Sequence, residues 1–138
     1  MKTVVSPTRR RARIAAALWG GFLFLLTSWP NPPAIPAGSF PLDRLVHFLL
    51  YGLVHFLLYG VEAFLLYRAI DWKGRSGFAW PRVLAIVGTM ALWGVLDEAH
   101  QEWIPGRGME SEDLAADIAG AGVGAIAAGM AARPKPTA

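Results

Sequence analysis

General acid–base chemistry needs a group that exchanges protons near neutral pH and neighbours that hold it in place. Three stretches of the chain supply such groups: His47, Tyr51, His55 and Glu62; then Asp97, Glu98, Gln101 and Arg107; then Asp113 and Asp117. A histidine could shuttle protons with Asp97, Glu98 or Asp117 as its carboxylate partner, and the planar fork of Arg107 suits an anionic group. Other chemistries lack their residues. Without Cys there is no disulfide, thiol nucleophile or Cys-ligated zinc. The histidines have neither H-x-x-x-H nor H-E-x-x-H spacing, so no metal is expected. No phosphate-cradling G-x-x-x-x-G-K-[ST] loop and no G-x-S-x-G elbow occurs, and no cofactor is expected.

These groups are set in a chain of 138 residues that is 54% hydrophobic and only 17% charged. A soluble protein usually carries about 25% charged residues. The formal net charge of +3 does not indicate a nucleic-acid partner, because the basic residues form short clusters between long apolar runs rather than a patch on a polar surface. Four runs are long and apolar enough to suggest membrane helices: Ile14 to Trp29, Leu45 to Ile70, Val83 to about Trp103, and Leu114 to Ala132. The expected architecture is all-α, a four-helix transmembrane bundle, with a basic N-terminal segment at 1–13, a membrane domain at 14–132 and a tail at 133–138. Helix one is read as a retained anchor rather than a cleaved signal peptide, because the small residues after it lie among Pro30, Pro32, Pro33, Pro36 and Pro41, which suit an extended loop.

Charge sorts the loops. Lys2, Arg9, Arg10, Arg11 and Arg13 precede helix one; Arg68, Lys73, Arg75 and Arg82 flank the loop between helices two and three; Arg133 and Lys135 end the chain. Only Arg44 and Arg107 fall on the other side, so the positive-inside rule puts both termini in the cytoplasm. The acidic residues concentrate near the two opposite loops, with Asp71 the clear exception.

Helix two contains the octapeptide LVHFLLYG twice in succession, at Leu45 to Gly52 and Leu53 to Gly60. Its apolar run is about 39 Å long at 1.5 Å per residue, which exceeds the hydrocarbon thickness and calls for tilt, a kink at Gly52 or Gly60, or protrusion. With His47 set at zero on a helical wheel, Tyr51, Glu62, His55 and Tyr59 lie at about 40°, 60°, 80° and 120°, so one face is polar. Counting back from Arg68, Arg82 and Arg133 puts His55, Asp97 and Asp117 at one level, about 20 to 24 Å in, whereas His47 reaches the outer boundary at about 31 Å. Ionisable groups at such a depth are expected to face one another rather than lipid.

Pro105 and Gly106 stop helix three and place Arg107 on a turn beside Asp97, Glu98 and Glu102, where it could latch the loop through a carboxylate or grip an anion. Ser111 is the expected N-cap of helix four, with Glu112 and Asp113 at the positive end of its dipole. Gly120 and Gly124 form a G-x-x-x-G pair on the face that also carries Asp113 and Asp117, a surface for close helix packing.

Together these residues resemble the VanZ-like membrane proteins. Asp43-Arg44-Leu45-Val46-His47-Phe48 with Tyr51 is similar to the family motif entering helix two. Asp97-Glu98, Gln101, Pro105-Gly106-Arg107, Asp113, Asp117, Gly120 and Gly124 follow the family order and spacing. Asn is common in the family where Asp117 stands, and the duplication lengthens helix two, so either His47 or His55 could be the functional histidine. The resemblance implies a multi-pass protein of a bacterial cytoplasmic membrane, with a link to teicoplanin susceptibility, and leaves open whether it is an enzyme. The leading expectation is an outward-facing polar cluster that binds or acts on a lipid-linked or cell-envelope anionic substrate among membrane lipids. The alternatives are a small proton-coupled transporter or accessory subunit using Glu62, His55 and Tyr51, and a structural partner that forms homo- or hetero-oligomers through helix four.

Overall fold

A computed structural model of the chain describes residues 6–31, 41–70 and 78–132, with the side chains at 41–44, 47 and 48 left aside. Among these residues the chain forms four helices: α1 Pro7–Thr27, α2 Pro41–Ala69, α3 Trp80–Gln101 and α4 Ser111–Ala131. Lys2, Asp71, Lys73, Arg75, Arg133, Lys135 and the prolines from 32 to 36 lie outside the described residues, as do the side chains of Asp43, Arg44 and His47.

Each helix boundary has a local cause. Pro7 starts α1 with its ring at the position where no N–H is needed, and Ser6 Oγ accepts from the Arg9 N–H at 3.4 Å. The first turns of α1 therefore carry Arg9, Arg10, Arg11 and Arg13, and the helix opens seven residues before its apolar run. Helix α2 continues through Gly52 and Gly60 without interruption for 29 residues. Helix α3 ends at Gln101, before Pro105, and the turn that follows has Gly106 at φ +78°. A side chain at Gly106 would also collide with Asn31 Oδ1, and the Asn31 N–H donates to Pro105 O at 3.0 Å. The segment after α1 is thereby fastened to the loop between α3 and α4.

The cap of α4 corrects the expectation for Ser111. Glu110 is the N-cap residue and its own side chain does not cap the helix, while Ser111 lies in the first turn and donates to Glu112 Oε2 at 3.1 Å. The capping acceptor comes from α3: Glu98 Oε2 receives the Glu110 N–H at 2.7 Å. A carboxylate that is only 1% exposed thus serves the positive end of α4 from across the loop.

Helices α2 and α4 form the most extensive contact, α3 packs mainly on α4, and α1 packs mainly on α2. α2 and α4 run parallel in a register fixed by glycine. A Cβ at Gly120 would collide with the Phe56 carbonyl, one at Gly124 with the Gly60 carbonyl, and one at Gly60 would lie 3.1 Å from Gly120 O. The G-x-x-x-G face of α4 is accordingly packed against α2 of its own chain. Helix α1 is tied to α2 by the Trp19 indole N–H donating to Leu58 O at 3.0 Å and by Arg13 Nε donating to Ala69 O at 3.1 Å. At its other end Phe24 stacks on His100 of α3, with centroids 5.4 Å apart, and Ser28 Oγ lies 3.3 Å from His100 Nε2.

The core is small: Leu23, Tyr59, Ala63, Tyr67, Val83, Ile86, Met90, Ala121, Ala125 and Ala128. Large apolar residues cover much of the outside, among them Leu18, Leu25, Leu84, Leu92, Leu96 and Met130. Three exposed tryptophans stand near helix ends, Trp29 and Trp103 at one end of the bundle and Trp80 at the other, as aromatic side chains do at membrane interfaces; Trp93, within α3, is also exposed. Three helical segments are long and apolar enough to cross a membrane: Leu49–Ala69, Trp80–Gln101 and Ser111–Ala131. In α1 the apolar part from Ile14 to Thr27 covers about 21 Å, because its first two turns are basic.

Candidate functional site

Buried polar residues inside an apolar bundle must satisfy one another. His55, on α2, does so with both ring nitrogens. Its Nδ1 lies 3.0 Å from Asp117 Oδ1 and its Nε2 lies 3.4 Å from Asp113 Oδ2. The two aspartates are one turn apart on α4, so the parallel packing of α2 and α4 presents both to the same ring. The two N–H groups of an imidazolium match two carboxylate acceptors in this way. Asp117 is 1% exposed.

A second centre adjoins the first. Asp97, on α3, accepts the Tyr59 phenol O–H at 3.0 Å through Oδ2 and lies 2.8 Å from Thr27 Oγ1 through Oδ1. One carboxylate therefore joins α1, α2 and α3. Gly94, one turn before Asp97, leaves room where the centres meet: a Cβ there would be 3.4 Å from Asp117 Oδ2 and 3.7 Å from the Tyr59 ring. The His55 and Tyr59 rings, also one turn apart, stack at 6.5 Å between centroids.

Arg107 closes the end of the bundle where α1 finishes, and does so differently from expectation. Its Nη2 donates to Leu26 O at 3.1 Å, its Nη1 to Gln101 Oε1 at 3.2 Å, and its Nε to Trp29 O at 3.5 Å. The latch is real, but it fastens the carbonyl end of α1 rather than a carboxylate. The carbonyls at a helix C-terminus form the negative end of its dipole and attract a guanidinium, which explains the choice. Among the described residues its hydrogen bonds go only to neutral oxygens, and no carboxylate of those residues pairs its charge.

Of the residues singled out in the sequence, His55, Asp113 and Asp117 form one centre, and Asp97 anchors the other. Glu98 caps α4, Gln101 orients Arg107, and Gly120 and Gly124 set the helix spacing. Tyr51 lines a cavity with His55, Tyr59 and Arg107. The side chain of His47 lies outside the described residues. Glu62 faces α1 at Gly20 instead of joining the cluster. It is 7% exposed, and its Oε2 has no hydrogen-bond partner among the described residues. Among those residues, no three His, Asp or Glu side chains converge in a metal-holding arrangement.

Thr27, Tyr59 as the partner of Asp97, and Gly94 were not identified as site residues from sequence. Tyr59 had a signal, since it follows His55 by one turn on the polar face; Thr27 had none beyond a hydroxyl near the end of an apolar run. Comparison with known proteins adds no assignment: no protein-family model, no curated protein and no solved structure matches the chain.

Proposed function

We propose that the chain is a multi-pass protein of a bacterial cytoplasmic membrane, similar to VanZ-like proteins, with both termini cytoplasmic and α1 as a fourth span. In this reading its outward-facing polar cluster binds or acts on a lipid-linked or cell-envelope anionic substrate, with an effect on teicoplanin susceptibility. The observation that carries the reading is His55 held between Asp113 and Asp117 beside the Tyr59–Asp97–Thr27 network. Such groups are costly in an apolar bundle and mark a working site more often than a packing device. His55 is the proton-exchanging group and Asp117 its orienting partner. Arg107 contributes positive charge toward an anion at the outer end.

The test compares envelope and lipid-linked precursors, together with teicoplanin susceptibility, in cells that lack the protein or carry the wild type, His55→Gln or Asp117→Asn. Both variants should accumulate as folded protein yet give the profile of cells without it. Wild-type profiles from both variants, or no change on removing the protein, would refute the site.

A second reading is supported by Glu62. A buried carboxyl with an oxygen that has no partner among the described residues, inward of His55 on α2, suits a small proton-coupled transporter or accessory subunit in which Glu62, His55 and Tyr51 carry protons. Activity that is indifferent both to Glu62→Gln and to collapse of the proton gradient would eliminate it.

A further inference from the structure

A cavity of about 250 Å³ lies between α1 and α2. Its apolar wall is formed by Leu23 and Leu26 on α1 and by Leu50, Val54 and Leu58 on α2. The α2 residues are four apart and form a stripe along the helix, spanning about 12 Å at 1.5 Å per residue. The next residue after each is polar: Tyr51, His55 and Tyr59 form a parallel stripe on the same cavity. The cavity therefore has a hydrocarbon side and a hydrogen-bonding side that run together along the bundle.

Its ends also differ. Arg107 lines the cavity where α1 finishes, and its described bonds go to the Leu26 and Trp29 carbonyls and the Gln101 amide oxygen. A half-buried guanidinium set among neutral acceptors retains its charge and its attraction for an anion. Leu58, at the other end of the stripe, lies deeper along α2 and its carbonyl accepts the Trp19 indole N–H. An amphiphile seated here would have its negative end at Arg107 and its chain along Leu50, Val54 and Leu58.

We infer that this cavity is a lateral binding site for one hydrocarbon chain of an anionic membrane lipid, with the headgroup at Arg107 and the chain passing beside Tyr51 and His55. The inference rests on the proposed site and names the class of molecule that enters it and the route, sideways between α1 and α2. Apolar walls alone would not distinguish one lipid from another, because hydrocarbon chains are as apolar as leucine. Selection comes from charge at one end, and the narrow stripe admits the chain.

The full-length protein would be reconstituted in phosphatidylcholine nanodiscs containing either phosphatidic acid or phosphatidylcholine that carries the same photoreactive group near the end of one acyl chain. Mass spectrometry would then map the labelled residues. The expected result is several-fold more labelling by the phosphatidic acid probe, concentrated on Leu23, Val54 and Leu58. Val54→Trp and, separately, Leu50→Trp should each reduce that labelling at least threefold while labelling of the outward-facing Leu84 and Leu92 persists and reports an inserted, folded protein. Arg107→Gln should remove the preference between the two probes. Equal labelling by both probes, or labelling of the cavity no stronger than that of Leu84 and Leu92, would overturn the inference. The outcomes separate it from the proposed function. Selective cavity labelling with a wild-type envelope profile in His55→Gln cells leaves the lipid site and removes the reaction site; unselective labelling with a lost profile does the reverse.

Discussion

At the scale of single residues, Asp97 makes the sharpest demand. It accepts from the Tyr59 phenol and approaches Thr27, and Tyr59 is 1% exposed, so neither the phenol nor the carboxylate has water as a substitute. Asp97→Ala should lower stability by about 1 to 3 kcal/mol, the usual cost of a buried group left unsatisfied. Asp97→Asn, which keeps one carbonyl acceptor, should fall between the two in thermal unfolding in detergent. An Asp97→Ala protein as stable as wild type would show that the network contributes nothing. His55 supports a stricter experiment because its partners are carboxylates. His55→Leu leaves Asp117 buried without a counter-charge and should cost on the order of 3 kcal/mol or more. Adding Asp117→Asn to the same chain should restore part of that loss, and simple additivity of the two losses would disprove the coupling. The level shared by His55, Asp97 and Asp117 was legible in the sequence because helical rise and the basic residue at one end of each helix suffice to count depth. The pairing was less legible. Depth says which residues share a layer, but rotation about each helix decides that Asp97 meets Tyr59 while Asp117 meets His55.

At the scale of elements, the glycines of α4 show which part of a motif is readable. G-x-x-x-G announces a close helix contact but not its partner, and here the partner is α2, through Phe56 and Gly60. Because a Cβ at Gly124 would meet the Gly60 carbonyl, Gly124→Ala must push two backbones apart and should cost about 1 to 3 kcal/mol. Gly122 has nothing within 4 Å of its added Cβ, so Gly122→Ala should leave the unfolding midpoint unchanged or slightly raised. Equal effects at the two positions would rule out the backbone contact. The caps were harder to read than the helices themselves. Ser111 has the right residue type for an N-cap, yet Glu98 supplies the acceptor from another helix, and single-segment patterns do not register an acceptor twelve residues upstream. Glu98→Ala should therefore speed hydrogen exchange of the Glu110 amide and the first turn of α4, while Glu98→Gln, which retains an acceptor oxygen, should protect them better. Similarly, Arg107 has a plausible carboxylate partner in every nearby acid of the sequence, but the α1 carbonyls that it takes come from more than seventy residues away.

At the scale of the whole molecule, the duplicated octapeptide has a division of labour. Its second copy supplies His55 and Tyr59 to the polar centres and Val54 and Leu58 to the cavity, whereas the first supplies Leu50 and Tyr51 to the cavity's other end. Eight residues turn a helix by about 80° beyond two full turns, so both copies face roughly the same way and the duplication lengthens one surface instead of creating a second. The lengths of the apolar segments decide how the bundle can lie in a bilayer. Three helical segments have the length and composition to cross, while the apolar part of α1 from Ile14 to Thr27 covers about 21 Å of a hydrocarbon layer about 30 Å thick. Arginine stems can reach toward the headgroups and make up part of the difference. Since the protein has no Cys, single cysteines can be placed without removing any native thiol. Thr3→Cys and Thr137→Cys keep every basic residue in place, and Glu102→Cys and Met109→Cys sample the exposed loop between α3 and α4. With both termini cytoplasmic, a membrane-impermeant maleimide added to intact cells should label Glu102→Cys and Met109→Cys but neither terminal cysteine, and permeabilisation should expose both termini. Labelling of Thr3→Cys without Thr137→Cys would leave only three crossings and would contradict the contact of Arg13 with Ala69 at the far end of α2. Labelling of both termini with silence in the loop would invert the bundle and put the His55 cluster at the cytoplasmic end, which would sink the envelope-facing function along with the orientation.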